Sequence, residues 1–397
     1  MNNTPLGNRF HIGIFGKCNS GKSSLMNAIT NQNIAIISEK KGTTTDPVFK
    51  AMEIPKIGPS MLIDTPGIDD NEEHVGIMRA NKSFNILNYV DAAILILKNS
   101  YNISKYEKAI LEKIKIKNIP LIIVINEFNL NQCNATYKNT ENYNIVKVNA
   151  KTKKNINILI DAMSQHFKTE KEPPIISDLL KPMDIILLVI VMDKAYPKAR
   201  LILPQQQLIN DILRAGAICY VCRLSEYEEF IKNLKTLPKL IITDSQIFSE
   251  IFSKTPQNIL VTSFSILLAR QKGILKDAMH GVKTLNNISS EDSILILESC
   301  THKKKACDVG SIKIPKWIKN YTKRSPNFKF LTGVDFEENI KKYKLVVHCG
   351  GCMTTANRIK NRFKICKQNN VAITNYGILI AYIKGVLEKS TEFLNKL

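Results

Sequence analysis

The chain has 397 residues, 44% of them apolar, and a formal net charge of +21. At ~100–200 residues per domain this length holds two or three domains, while the longest uncharged apolar run, Ile185 to Met192 between Asp184 and Asp193, falls far short of the ~20 residues of a membrane helix, so no membrane-spanning helix is expected. Met1 to Phe10 is polar, with no signal-type apolar core, so a cytoplasmic protein is expected; the positive charge lies on lysines spread along the chain, with no arginine-rich arm or aromatic-basic motif, so no nucleic-acid partner is expected.

Phe10 to Phe15 predicts a short apolar strand, and it runs into Gly16-Lys-Cys-Asn-Ser-Gly-Lys-Ser-Ser24. G-x-x-x-x-G-K-S between a strand and a helix is the phosphate-binding P-loop. Gly16 and Gly21 let the backbone wrap closely, so that its N–H groups, including those of Asn19 and Ser20, can face a phosphate. Lys22 supplies a point charge to the β- and γ-phosphates, and the Ser23 hydroxyl ligates Mg²⁺. Ser24 follows in a helix predicted from about Lys22 to Thr30.

Two segments follow in order: Lys41 to Pro47 (KGTTTDP), and a strand ending in Asp64-Thr-Pro-Gly67. Their order and spacing resemble the translation-factor-related GTPases, especially the tRNA-modification and Era-like group. The resemblance implies that Thr44 or Thr45 reaches Mg²⁺, that Asp64 holds Mg²⁺ through water, and that the Gly67 N–H senses the γ-phosphate. Ile68 stands where Ras-like enzymes carry a water-orienting glutamine, so slow intrinsic hydrolysis or another way of placing the water is expected. Asn19 has two readings: a ligand of an activating K⁺, as in the resembling group, or a residue that stabilises the loop turn. The base-recognition motif departs from the family's N-K-x-D. The strand Leu121 to Ile125 leads to Asn126-Glu127-Phe128-Asn129. An amide at Asn129 offers one acceptor where a carboxylate offers two, so guanine recognition is altered. Asn149-Ala150-Lys151 takes the place of the last, S-A-K loop. The architecture favours GTP.

Glu172-Pro-Pro174 reads as a linker. Beyond it, strands at 184–193, 217–223 and 240–243 alternate with helices at 204–215 and 225–235, which predicts a small α/β unit. Cys219 and Cys222 form a C-x-x-C pair, but on a strand, where residues three apart face opposite sides; they read as core cysteines.

Five of the nine cysteines lie between 300 and 366. A strand at Ile294 to Leu297 leads to Cys300-Thr-His302, and a strand at Leu345 to Val347 leads to His348-Cys349-Gly-Gly-Cys352. Gly350 and Gly351 free the backbone to turn both thiolates toward one centre. Two cysteines with two histidines fit zinc, and three cysteines with an open fourth position fit a 4Fe-4S cluster; spacing alone leaves both.

A GTPase segment joined to C-x-H and H-C-x-x-C resembles the HydF family of FeFe-hydrogenase maturation factors, as do Asp46-Pro47, the DTPGIDD run from Asp64 to Asp70, and Arg200 to Gln205. The resemblance covers nearly the whole chain and implies an α/β protein of three parts: a P-loop GTPase domain (1–170), a small α/β dimerisation domain (175–265) and an α/β cluster-binding domain (266–397). It implies a 4Fe-4S cluster on Cys300, Cys349 and Cys352, with His302 or His348 as motif residues and Glu298 or Asp308 as other candidates for the fourth position. Cys307 and Cys366 fall outside the motif and read as structural. The implied function is a homodimeric GTPase and scaffold that takes a di-iron precursor from radical-SAM maturases and delivers it to apo FeFe-hydrogenase. The alternative is an RNA-modifying or ribosome-associated GTPase with a structural zinc site.

Overall fold

The computed structural model describes residues 9–31, 47–67, 82–98, 103–127, 143–167, 173–191, 201–299, 309–333, 339–351 and 354–396. The chain divides into two compact units, 1–171 and 172–397.

The first unit is a six-stranded sheet. Its strands are β1 (Phe10–Gly16), β2 (Val48–Ile54), β3 (Gly58–Asp64), β4 (Ala92–Lys98), β5 (Leu121–Asn126) and β6 (Asn144–Val148), in the order β2-β3-β1-β4-β5-β6. Only β2 runs antiparallel, pairing with β3. β1, β4 and β5 are near-continuous apolar runs because both faces of a parallel sheet are covered. Ile12, Ile14 and Ile94 feed one core, and Phe15, Ala93 and Leu95 the other. Parallel strands share a carboxyl edge, and open α/β sheets bind ligands along that edge. Gly16, Asp64, Asn126 and Val148 all end strands there.

The second unit holds two four-stranded parallel sheets. One is β10-β9-β7-β8, from β7 (Ile185–Ile190), β8 (Ile218–Arg223), β9 (Leu240–Thr243) and β10 (Leu260–Ser263). The other is β12-β11-β13-β14, from β11 (Ser293–Glu298), β12 (Asn327–Thr332), β13 (Leu345–His348) and β14 (Ala372–Asn375). The expected strands and helices of the middle segment appear, and β10 is added to them. Residues on both sides of the expected 265/266 boundary contribute to one hydrophobic core.

The two sheets repeat one topology. In each, the first strand in sequence lies between the second and the third, and the fourth lies beyond the third. The corner after the fourth strand repeats in sequence too: Thr262, Ile266, Leu267, Ala269, Lys272, Gly273 and Leu275 recur as Thr374, Ile378, Leu379, Ala381, Lys384, Gly385 and Leu387. Ser263 and Asn375 cap equivalent helices by accepting from Ile266 N and Ile378 N. Gly273 and Gly385 both have φ +70. The halves also exchange contacts. Helix 275–282 packs on β14, and helix 387–391 packs on β10. Gly281 is in the first of these because a Cβ there would overlap the Ile373 carbonyl.

Among the described residues, no helix is long and apolar enough to cross a membrane.

Candidate functional site

The P-loop leaves β1 at Gly16 and enters the helix Lys22–Thr30, as the sequence predicts. Register explains how Asp64 reaches it: β3 lies beside β1, with Asp64 opposite Ile14. The Ser23 hydroxyl donates to Asp64 Oδ2 at 2.5 Å. The other carboxylate oxygen, Oδ1, is buried and has no hydrogen-bond partner. Burial raises the Asp64 pKa above the usual carboxylate range, while the Lys22 charge and the Ser23 hydroxyl pull it back. A buried carboxylate with a spare oxygen beside a serine hydroxyl is a hard oxygen donor set, and it fits Mg²⁺.

Lys22 is buried, and its Nζ donates to the carbonyls of Gly16 at 3.0 Å and Lys17 at 2.8 Å. Gly67 closes over it: a Cβ there would lie 2.8 Å from Lys22 Nζ and 2.8 Å from Cys18 Cα. Two residues that sequence reasoning did not single out hold this segment. Thr65 donates its hydroxyl to Ile14 O at 2.8 Å, and Ser83 donates to Pro66 O at 3.0 Å. Ser20 is fully buried with its Oγ unpartnered. Asn19 is exposed and left-handed, at φ 55, a conformation that asparagine tolerates and most residues do not. Ser24 lies in the first turn of the helix.

Asn126 is a strut between loops. Its Nδ2 donates to Ser20 O at 3.1 Å, and its Oδ1 accepts from Ala150 N at 3.1 Å, which ties the P-loop to the last loop. Asn149 does more than replace a serine. It donates to Glu127 O at 2.7 Å and accepts from Lys151 N at 3.0 Å and Thr152 N at 2.8 Å. Its short amide makes the self-turn that asparagine favours. Thr44, Thr45, Ile68 and Asn129 lie outside the described residues.

In the second unit, β11 and β13 are neighbours, with Leu297 opposite His348. The two cysteine segments therefore leave adjacent strand ends. Ser299 N donates to Cys349 Sγ at 3.3 Å, so the segment entering Cys300 touches Cys349. A sulfur that accepts a backbone N–H in this way fits a thiolate ligand of a soft metal centre. Gly351 has φ +64, in the left-handed region that favours glycine. Glu298 Oε1 accepts from the Tyr376 hydroxyl at 3.1 Å. Cys300, His302, Cys307, Asp308 and Cys352 lie outside the described residues, and among the described residues no group of three metal-ligating side chains occurs.

His348 is fully buried, and both of its ring nitrogens are engaged. Nδ1 lies 2.6 Å from Cys349 O, and Nε2 lies 2.8 Å from Arg362 Nη1. Burial pushes its pKa down to about 3, with the Arg362 charge adding to that, so the ring is neutral. In this geometry it has no nitrogen left for a metal. Three cysteines lie away from the site. Cys366 is in the core with its pKa pushed up to about 12 by burial. Cys222 is buried and Cys219 half-buried, both raised to about 11 by burial, which keeps them as thiols.

The strand end after β9 mirrors the one after β13. Asp244 stands where Cys349 stands, and it accepts from the Val191 backbone as Cys349 does from Ser299. Burial raises its pKa to about 6.

Comparison with known proteins matches residues 11–127 to the family described as 50S ribosome-binding GTPase. Similar curated proteins include GTPase Der of Mycoplasmopsis agalactiae, 30% identical over 198 residues, covering 45% of this chain and 44% of that protein. The tRNA modification GTPase MnmE of Clostridioides difficile is 35% identical over 154 residues, covering 37% of this chain and 32% of that protein. The chain thus spans less than half the length of these relatives. Among solved structures, Aquifex aeolicus Era bound to GDP·AlF4⁻ matches with a TM-score of 0.37 and 19% identity, over 54% of this chain and 92% of that one. Residues 175–273 match the hydrogen maturase F dimerization domain and residues 276–393 the hydrogen maturase F tetramerization domain. These two matches take in nearly all of the chain beyond the GTPase-type domain, and the chain belongs to the hydrogen maturase F family.

Proposed function

We propose that this protein is a GTPase and iron–sulfur scaffold that receives a di-iron precursor from radical-SAM maturases and delivers it to apo FeFe-hydrogenase. The observation that supports the reading is the contact between Ser299 N and Cys349 Sγ, at 3.3 Å, which sets the residue before Cys300 against Cys349 in a chain of this family. Cys300, Cys349 and Cys352 would hold a 4Fe-4S cluster, and its open fourth position supplies an exchangeable site for cargo.

At the nucleotide site, Mg²⁺ would supply charge neutralisation of the phosphates. Ser23 and Asp64 hold it, Lys22 binds the phosphates, and Gly67 reports the γ-phosphate through its N–H. Asn126 and Asn149 fix the loops that enclose the base. Hydrolysis is slow because Ile68 cannot orient water, and K⁺ at Asn19 is a route by which it is accelerated. The nucleotide gates association with partners as the switch loops order and relax.

Copies associate through residues 175–273. β8 is an edge strand of its sheet, and Tyr220 and Val221, on its two faces, are 37% and 45% exposed; we assign this edge to a second copy.

The test is transfer. Protein loaded with precursor and mixed with apo FeFe-hydrogenase yields hydrogen evolution, and a Cys349→Ala variant does not. Equal hydrogen evolution from the variant contradicts the reading. Equal affinity for the maturases with GTP, GDP and no nucleotide contradicts the gating role alone.

A further inference from the structure

Arg362 is among the largest fully buried side chains of the protein, 2% exposed on helix 356–368. Its Nη1 donates to Ser299 Oγ at 3.0 Å and to His348 Nε2 at 2.8 Å, and its Nη2 donates to Gly333 O at 3.2 Å. Ser299 follows β11 and precedes Cys300. His348 ends β13 and precedes Cys349. Gly333 follows β12. One guanidinium therefore spans the ends of three adjacent strands. The planar fork makes this possible, since it presents five donors in fixed directions where lysine has one compact ammonium.

The histidine fits the same arrangement. Cys349 O can only accept, so Nδ1 of His348 carries the proton and Nε2 accepts from Arg362. His348 is a spacer between Arg362 and the Cys349 backbone. A second buried cation treats the remaining ligand loop in the same way. Lys272 Nζ donates to Gly351 O and, at 3.2 Å, to Thr354 O, the residues that bracket Cys352 and Met353.

We propose that Arg362 is a positioning residue for the cluster site. Through Ser299 and His348 it sets the spacing of the strand ends that lead into Cys300 and Cys349, and its buried charge sits between those strand ends. Lys272 ties Gly351 to Thr354, the described residues that flank Cys352 in sequence. The inference rests on the cluster reading above. It assigns two effects to Arg362. The bracing slows loss of iron from the site, because outer partners orient the ligands. The charge favours the reduced, more negative cluster and raises its potential.

The experiment uses full-length protein, reconstituted anaerobically with iron and sulfide. Iron content, the rate of iron loss to a chelator and the midpoint potential by EPR-monitored titration are measured. For Arg362→Gln, chelator loss speeds by about tenfold or more and the midpoint moves to more negative potential. Arg362→Lys keeps the charge but not the fork, so it restores the potential and leaves the loss fast. Should Arg362→Gln fail to fold by circular dichroism, Arg362→Lys and Lys272→Met carry the test: both speed iron loss, the first at near-unchanged potential. Variants that match the unsubstituted protein in both quantities overturn the inference and leave the cluster reading standing. Failure of the unsubstituted protein to take up iron overturns both.

Discussion

Ser23 Oγ and Asp64 Oδ2 lie 2.5 Å apart, joining the first helical turn after the P-loop to the end of β3. The carboxylate is buried and its other oxygen is unpartnered, so the ionised Asp64 keeps an acceptor that a bound cation would satisfy. Folding keeps this costly group for the chemistry of the site.

Asp64→Asn should separate the two roles. The Asp64 pKa is raised on folding, so its ionisation weakens the fold once pH rises above the ordinary carboxylate range. The variant should melt higher than the parent at neutral pH without nucleotide, and the gain should vanish in acid. Mg²⁺ affinity with bound nucleotide should fall by about 10–100-fold. Calorimetric melting and Mg²⁺ titration check the two halves.

Asn149→Ala removes three hydrogen bonds that shape the last loop. Stability should fall by about 1–3 kcal/mol, because Glu127 O and two loop N–H groups lose their partner. Nucleotide affinity should fall with it. Asn149→Ser should recover part of both, as measured by denaturant titration and by fluorescent-nucleotide binding.

Gly281→Ala should disturb only the second unit. A Cβ at this position runs into the Ile373 carbonyl, which belongs to the strand of the opposite half. Overpacking here should cost about 1–3 kcal/mol. Nucleotide binding, which belongs to residues before 172, should be unchanged. A melting curve and a nucleotide titration decide it.

Asp244 predicts a pH dependence. Its folded pKa of about 6 lies above the ordinary 3.8, so the stability tied to its neutral form is fully present below about pH 4 and is lost as pH rises through 6. Asp244→Asn should therefore stabilise the protein by up to about 3 kcal/mol at pH 7 and by nothing at pH 4. Melting temperatures of parent and variant across that range check the sign.

The nucleotide site was legible because its chemistry is local. Gly16 to Ser24 follow one another in sequence, and Asp64 ends an apolar strand. The role of Asn149 was not legible, because its three bonds depend on where β5 and β6 end. The two cysteine segments were legible as strand ends, but Arg362 was not. It lies on a basic-looking helix, and only the turn of that helix under the strand ends buries it. The repeat within the second unit was hidden for another reason. Its sequence identity is densest in one strand–helix corner, and elsewhere only short matches such as Asp184, Ile186 and Leu187 with Asp292, Ile294 and Leu295 accompany the shared topology. Asp244 at the position of Cys349 shows how far the halves have diverged in chemistry while keeping one backbone plan.

The central claim is that the second unit holds an iron–sulfur cluster. Anaerobic reconstitution of the full chain, with iron and sulfide analysis and EPR after dithionite reduction, tests it most directly. The account predicts about four irons and four sulfides per chain and a reduced-cluster signal that Cys349→Ala abolishes. One zinc per chain with no iron uptake would contradict it and would return the C-terminal cysteines to a structural zinc site.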